Sequence, residues 1–213
     1  MKIRRISFYL ILFFPLFLNA QNNGQYEIGL PFVRNYYPKE YKAYSQNWGC
    51  VQDSRGVLYF ANGNGVLEYD GTHWTLIKIT NEYTVSAIAI DENNRIYVGS
   101  SCEFGYLATN KNGKLEYVSL LYKIDKKYRK FNYIHNIYTT KSGVFFSFDH
   151  YLLRWSNNKM KIWDLHSSCV FLYSGDNFII YQKNKGLSII KNDSIITLNS
   201  WNFFYNKNVI DIE

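Results

Sequence analysis

Apolar and polar positions alternate along this chain in short runs, punctuated by Gly, Asn and Asp, and the pattern repeats. Residues 46–60 align with residues 84–98 at a spacing of 38. Each copy has a short apolar run, a polar turn (Asp53-Ser-Arg-Gly56 or Asp91-Glu-Asn-Asn94) and a second apolar run. A third copy occupies 134–148 around the turn 140–143, a fourth occupies 170–181 around 174–177, and a fifth begins at 209–213. The second half of each unit is again two apolar runs about a turn: Asp70-Gly71, 110–113, Asn157-Asn158 and Asn192-Asp193. These residues tolerate the positive φ angles that tight hairpins demand.

Each unit is therefore a four-stranded antiparallel meander. Units of this kind recurring at about 40 residues read as blades of a β-propeller. The predicted fold is all-β, with about four blades plus the first strand of a fifth, in an incomplete ring. An open stack or a sandwich would use similar strands, but the regular meander period favours the propeller. The innermost strands, such as Ala87-Ile-Ala-Ile90, are expected to line a crowded axis and the outer ones to alternate, with Leu67 and Tyr69 against Glu68 and Asp70.

Residues 1–20 stand outside this pattern. Lys2, Arg4 and Arg5 precede an apolar run from Ile6 to Leu18 and a small residue, Ala20, the three parts of a signal peptide. The run is shorter than the roughly 20 residues that span a bilayer. The domain reading is a signal peptide at 1–20, an N-terminal segment at 21–45 with a candidate ring-closing strand at 32–36, and blades at 46–80, 84–120, 133–165 and 168–199, with a partial one at 203–213. The chain is thus expected to be exported, to the periplasm.

Composition sharpens this picture. Among 213 residues there are 20 Tyr, 15 Phe and 5 Trp but only 3 Pro, which suits strand packing. Removing the first twenty residues lowers the formal charge from +7 to +4, so the basic balance gives little support for nucleic-acid contact. Cys50, Cys102 and Cys169 fit no zinc or disulfide spacing and read as small buried hydrophobes on strands. Residues 121–131 interrupt the rhythm. Leu121, Ile124, Tyr128 and Phe131 fall at helical spacing, with Lys123, Lys126, Lys127 and Lys130 opposite. This is either a basic patch for an acidic partner or a short helix or inter-blade loop with a solvated face.

The most specific signal lies in residues 46–74, with Gln52-Asp-Ser-Arg-Gly56 followed by Tyr59-Phe-Ala-Asn-Gly-Asn-Gly-Val-Leu-Glu-Tyr-Asp-Gly71 and Trp74. It resembles the periplasmic sensor propellers of bacterial hybrid two-component and triple-tyrosine-type transcriptional regulators, whose blades run QDxxGxxWFGTxxGLxxYDG. Gly56, Gly65, Val66, Leu67, Tyr69, Asp70 and Gly71 match. The family's Trp is Tyr59 here and its Gly-Thr is Ala61-Asn62, and later units lose the Tyr-Asp-Gly signature. The resemblance spans roughly residues 29–213 and implies a non-catalytic extracytoplasmic sensor. In such relatives a β-sandwich, a membrane helix and a histidine kinase or helix-turn-helix module follow. It therefore also implies an N-terminal fragment, homodimerisation through the missing parts, and membrane attachment only through a C-terminal region beyond residue 213.

No catalytic, metal or cofactor set emerges. His73, His135, His150 and His166 lack metal-ligand spacing and read as turn or surface residues, and the Gly-rich Asn62-Gly-Asn-Gly65 joins two strands instead of opening a helix. A ligand site is expected at one mouth of the ring, on loops holding Asn62, Asn64, Tyr83, Glu103, Tyr133, Asp149, His150 and Lys183, with Trp48 near the axis. Aromatic faces beside amides and carboxylates suit a carbohydrate or another small extracellular ligand. The alternatives are a secreted carbohydrate- or protein-binding propeller and a propeller hydrolase.

Overall fold

Four meanders follow one another in the computed structural model, which describes residues 33–80, 84–167, 169–174, 177–198, 204 and 207. Two units divide the chain at residue 35. Of the first, Val33, Arg34 and Asn35 are described and form no strand or helix. The signal peptide, the partial fifth blade apart from Phe204 and Lys207, Phe32 of the candidate closing strand and Tyr83 lie outside the described residues. Residues 33–36 of that strand join no sheet. Tyr36 instead sets its ring 5.2 Å from Trp74 on the first blade.

The first blade is β1 (Asn47–Gln52), β2 (Leu58–Asn62), β3 (Gly65–Tyr69) and β4 (Trp74–Ile77); the second is β5 (Val85–Ile90), β6 (Ile96–Ser100), β7 (Glu103–Thr109) and β8 (Leu115–Ser119). The third is β9 (Asn136–Thr140), β10 (Gly143–Phe148), β11 (Tyr151–Ser156) and β12 (Lys159–Asp164), and the fourth is β13 (Cys169–Ser174), β14 (Asn177–Gln182), β15 (Gly186–Lys191) and β16 (Ser194–Thr197). In every sheet the strands pair antiparallel in sequence order. β5 lies beside both β1 and β9, so the first strands of the first three blades are the inner ones. The turns are built as the residues demand. Asn157 and Asn158 have φ of 50° and 59°, Asn192 and Asp193 have 49° and 63°, and two consecutive positive values make a type I′ hairpin.

Three apolar clusters fill the gaps between successive blades. Tyr59, Ala61 and Val66 meet Val85, Val98 and Leu107 between the first and second. Tyr97 and Phe104 meet Phe146 and Leu153 between the second and third. Phe145, Leu152 and Trp163 meet Phe171 and Phe178 between the third and fourth. Neighbouring residues on a strand point to opposite faces. Phe145 therefore serves one interface and Phe146 the next, which is why β10 is apolar without alternation. The inner strands are not the most buried ones. β1 is exposed or half-exposed throughout, whereas β6 is buried throughout, because middle strands have a neighbouring blade on each face and inner strands border the axis.

The aspartate turns explain the repeat. Asp53 accepts hydrogen bonds from the backbone N–H of Arg55 and Val57, and Asp91 from those of Asn93 and Arg95. Tyr59 and Tyr97, equivalent in the repeat, donate their hydroxyls to these aspartates. Burial pushes the Tyr59 hydroxyl up to about 12, so it remains a donor at neutral pH. In Tyr69-Asp70-Gly71, Asp70 takes the N–H groups of Thr72 and His73 and turns the chain so that Trp74 stacks on Tyr69 at 4.2 Å.

The interruption at 121–131 is not one helix but two single 3-10 turns, Leu121–Lys123 and Lys126–Tyr128. Ile124 and Phe131 are buried, with Leu121 and Tyr128 packed alongside. The cysteines differ from expectation. Cys50 is exposed, while Cys102 and Cys169 are half-buried. Cys102 sits at φ 51° in the β6–β7 turn, because the strands end there. Burial pushes the Cys169 thiol up to about 12.

A charged clasp joins the third and fourth blades. Asp193 binds Arg154 at 2.6 Å and Lys161 at 3.1 Å, and its carbonyl accepts from the Trp163 indole. Hydrogen bonds from Arg154 and then Lys161 hold the Asp193 carboxyl below the ordinary value of 3.8. A depressed folded-state value means that the stabilisation is present at neutral pH and is lost as pH falls through that depressed value. Asp193→Asn keeps the left-handed turn and should cost no more than about 1 kcal/mol at pH 7, since the pair is partly exposed. Urea unfolding at pH 7 and pH 3 checks this: the deficit should shrink at the lower pH, and an equal deficit at both rules out the ionic contribution.

Candidate functional site

The starts of the inner strands converge at one end of the axis. There Tyr44, Gln46, Trp48, Gly63, Thr84, Ser86, Tyr133, Ile134 and His135 line a cleft of about 620 Å³. Gln46 and Thr84, and likewise Trp48 and Ser86, are repeat-equivalent at the spacing of 38, so the cleft is built from the same position in successive blades. Three rings stand open at it: Tyr44 at 52% exposed, Trp48 at 43% and Tyr133 at 49%. In a domain that buries most of its aromatic surface, rings left open around a concavity are suited to stack on a flat apolar face of a ligand.

Each wall is held from behind. Asn62 is fully buried and its amide donates to Tyr44 O (2.7 Å), Gln46 O (3.3 Å) and Asn47 Oδ1 (2.8 Å). Its Oδ1 accepts from the N–H of Tyr44 and of Asn64. Asn62 thus pins the lead-in segment that carries Tyr44, Gln46 and Trp48. Gly63 leaves room for the Tyr44 ring, since a Cβ there would lie 2.4 Å from Tyr44 Cδ1. On the opposite wall Ile134 is fully buried against Gly99, where a Cβ would come within 2.5 Å of its side chain. Ser86 Oγ donates to Ile134 O at 2.9 Å, and Ser101 and Tyr133 form a β-bridge. Tyr133 and His135 flank this anchored residue.

The structure brings together Trp48 and Tyr133 of the residues singled out by sequence. Asn62 supports the cleft from beneath, and Asn64 is exposed in the β2–β3 turn. Glu103, Asp149 and His150 do not line it. Glu103 is buried and its Oε1 accepts from Ser119 Oγ (2.8 Å), Tyr117 OH (3.1 Å) and the Phe104 N–H. Burial, then the Glu103 charge, pushes the Tyr117 hydroxyl well above its ordinary value. Asp149 is an exposed turn residue at φ 47°, and His150 reaches Asp164 at 3.7 Å. Lys183 is exposed. Sequence reasoning missed Tyr44, Gln46, Thr84 and Ser86; the repeat alignment holds the signal for Gln46, Thr84 and Ser86, which fall at or just before the start of the inner strands, but not for Tyr44, which precedes the aligned residues. Among the described residues the cleft lining contains no carboxylate or cysteine, and His135 is its one imidazole. Among the described residues no group of three His, Cys, Asp or Glu is arranged to hold a metal.

No protein-family model matches the chain, and no curated protein sequence matches it. Solved structures do match. The extracellular domain of a protein assigned as a one-component system from B. thetaiotaomicron aligns over 70% of this chain and 21% of its own, at 19% identity and a TM-score of 0.54. Virginiamycin B lyase from Staphylococcus aureus aligns over 72% of this chain and 56% of its own, at 12% identity and a TM-score of 0.52. The chain thus spans about a fifth of the first and just over half of the second. At these identities the likeness establishes the class, an all-β propeller of four-stranded blades.

Proposed function

We propose that this chain is the ligand-recognition propeller of an exported, two-component-type sensor, and that it binds an oligosaccharide without chemically changing it. The observation that carries the reading is the axial cleft with three open aromatic rings on rigidly supported walls. Gln46 and His135 between those rings offer donors and acceptors for sugar hydroxyls, and Thr84 and Ser86, whose protons go to Gly63 O and Ile134 O, offer acceptors. The likeness to an extracellular domain of an assigned one-component system supports the sensory role. The lyase neighbour shares the scaffold, but fold does not fix function, and among the described residues the cleft lining has no carboxylate pair for acid–base work.

Titration of the full chain with neutral and acidic oligosaccharides, followed by calorimetry, tests the binding. Trp48→Ala should weaken the tightest ligand at least tenfold, as truncating a central aromatic anchor does, while leaving the thermal midpoint nearly unchanged because the ring is half-exposed. Unchanged affinity in Trp48→Ala and Tyr133→Ala would remove the cleft from consideration. Reading the gene past Glu213 tests the sensory role separately. Continuation into further blades, a membrane span and a kinase or DNA-binding module supports it. A stop followed by an unrelated gene leaves a free-standing binding protein.

A further inference from the structure

The connection between the second and third blades carries a feature that the cleft does not use. It leaves β8, the outermost strand of its blade, and arrives at β9, the innermost strand of the next. Residues 120–135 therefore run radially across the mouth of the propeller, from the rim to the cleft, and end on Tyr133, Ile134 and His135 of its lining.

This segment is held rigidly from below. Ile124 and Phe131 are buried, and Phe131 stacks on Phe148 at 4.3 Å. Arg129 folds inward, donating from Nε and Nη2 to Ile124 O at 3.0 and 2.8 Å and lying over the Tyr122 ring at 5.4 Å. Its guanidinium is thus committed to the segment's own shape. Lys123, Lys126, Lys127 and Lys130 are all exposed, and among the described residues none of them is within ion-pair distance of a carboxylate. Asp125 is the single acid between residues 121 and 131. Lys127 lies over the Tyr128 ring at 4.6 Å; four like charges gathered on one ordered connection repel each other. Tyr122, 74% exposed, lies among them.

We infer that this connection is a cationic extension of the axial cleft, which selects an acidic oligosaccharide bearing carboxylate or sulfate groups. The inference rests on the oligosaccharide reading of the cleft. Aromatic rings at the axis stack on sugar faces, and the lysine track receives the anionic groups of the units that project toward the rim. Lysine is suited to this, because a flexible point charge accepts anions at varied positions along a chain. The track also raises the local concentration of an acidic ligand at the cleft and speeds its association at low ionic strength.

The test uses the full chain and four probes: an oligogalacturonate, a sulfated oligosaccharide of equal length, a neutral cello-oligosaccharide of equal length, and vesicles containing an anionic phospholipid. The variants are K123Q/K126Q/K127Q/K130Q and Trp48→Ala. At least one acidic oligosaccharide should bind more tightly than the neutral one. The quadruple variant should lose roughly 10- to 100-fold of that affinity, four exposed charge contacts being removed together, along with most of its salt dependence. Trp48→Ala should weaken the acidic ligand too. Equal affinity of the quadruple variant and the natural chain, binding of neither acidic oligosaccharide, or binding of the anionic vesicles alone overturns the inference. Neutral-sugar binding that needs Trp48 but not the lysines leaves the cleft reading standing and defeats this one. Acidic-sugar binding that needs the lysines but not Trp48 defeats the cleft reading and the idea of an extension together.

Discussion

Replacing Asn62 by Asp should unfold this domain more readily than replacing it by Ala, although Asp is nearly the same shape. The Asn62 amide group donates to three oxygens, those of Tyr44, Gln46 and Asn47. A carboxylate would set its own oxygen against all three in a fully buried site. Asn62→Ala removes five hydrogen bonds and leaves buried partners unsatisfied, with an expected loss of about 3 kcal/mol. Asn62→Asp adds an uncompensated buried charge and should cost about 3–5 kcal/mol. Urea denaturation of both variants gives the order. A milder effect of Asp than of Ala would show that the amide nitrogen is not the group that matters. Both variants should also weaken ligand binding at temperatures where they remain folded, because the segment carrying Tyr44 and Trp48 loses its anchor.

Phe104→Ala should be comparably damaging for a different reason. Phe104 is fully buried on β7, 4.9 Å from Phe146 of the third blade and 6.2 Å from Phe131 of the lysine-bearing connection. Truncation leaves a cavity where two blades and that connection meet, and losses of about 3–5 kcal/mol are usual for such a change. Phe104→Leu keeps more of the volume and should cost well under half as much. If the Ala variant loses less than about 1 kcal/mol in urea denaturation, the second and third blades are not joined through this cluster. Because Phe131 rests on the same cluster, the Ala variant should also blunt any preference for acidic over neutral oligosaccharides.

Strand identity was legible because it depends on neighbours in sequence. Asn157-Asn158 and Asn192-Asp193 carry their turn geometry in their own side chains, and the aspartates at 53 and 91 hold the turns within their own repeat. The spacing of 38 holds between β1 and β5, which begin at Asn47 and Val85, whereas β9 begins at Asn136 and β13 at Cys169, because the connection at 120–135 lengthens one interval. The segment at 121–131 was legible as an interruption with apolar and basic sides. Its two short turns depend on Arg129 reaching back to Ile124, a contact that helical spacing does not encode. Burial of the inner strands was misjudged for a related reason. An apolar run such as Ala87-Ile-Ala-Ile90 looks the same whether it lies beside an open axis or between two sheets.

The candidate site divides along the same line. Trp48 and Tyr133 could be named from loops and aromatic character, but their meeting across one cleft requires the curvature of successive blades. Glu103 looked like a ligand group and is a buried acceptor, because Gly105 lets Tyr117 lie close: a Cβ there would sit 2.8 Å from the Tyr117 hydroxyl. Asn62 likewise looked available and is spent on the backbone of residues 44–47. By itself the sequence determined the meander, its period and its turns, since these follow from alternation of side chains and from residues that accept positive φ. Only the tertiary structure decided which polar groups are consumed within the fold and which rings remain open at the axis, because that depends on which blade faces which.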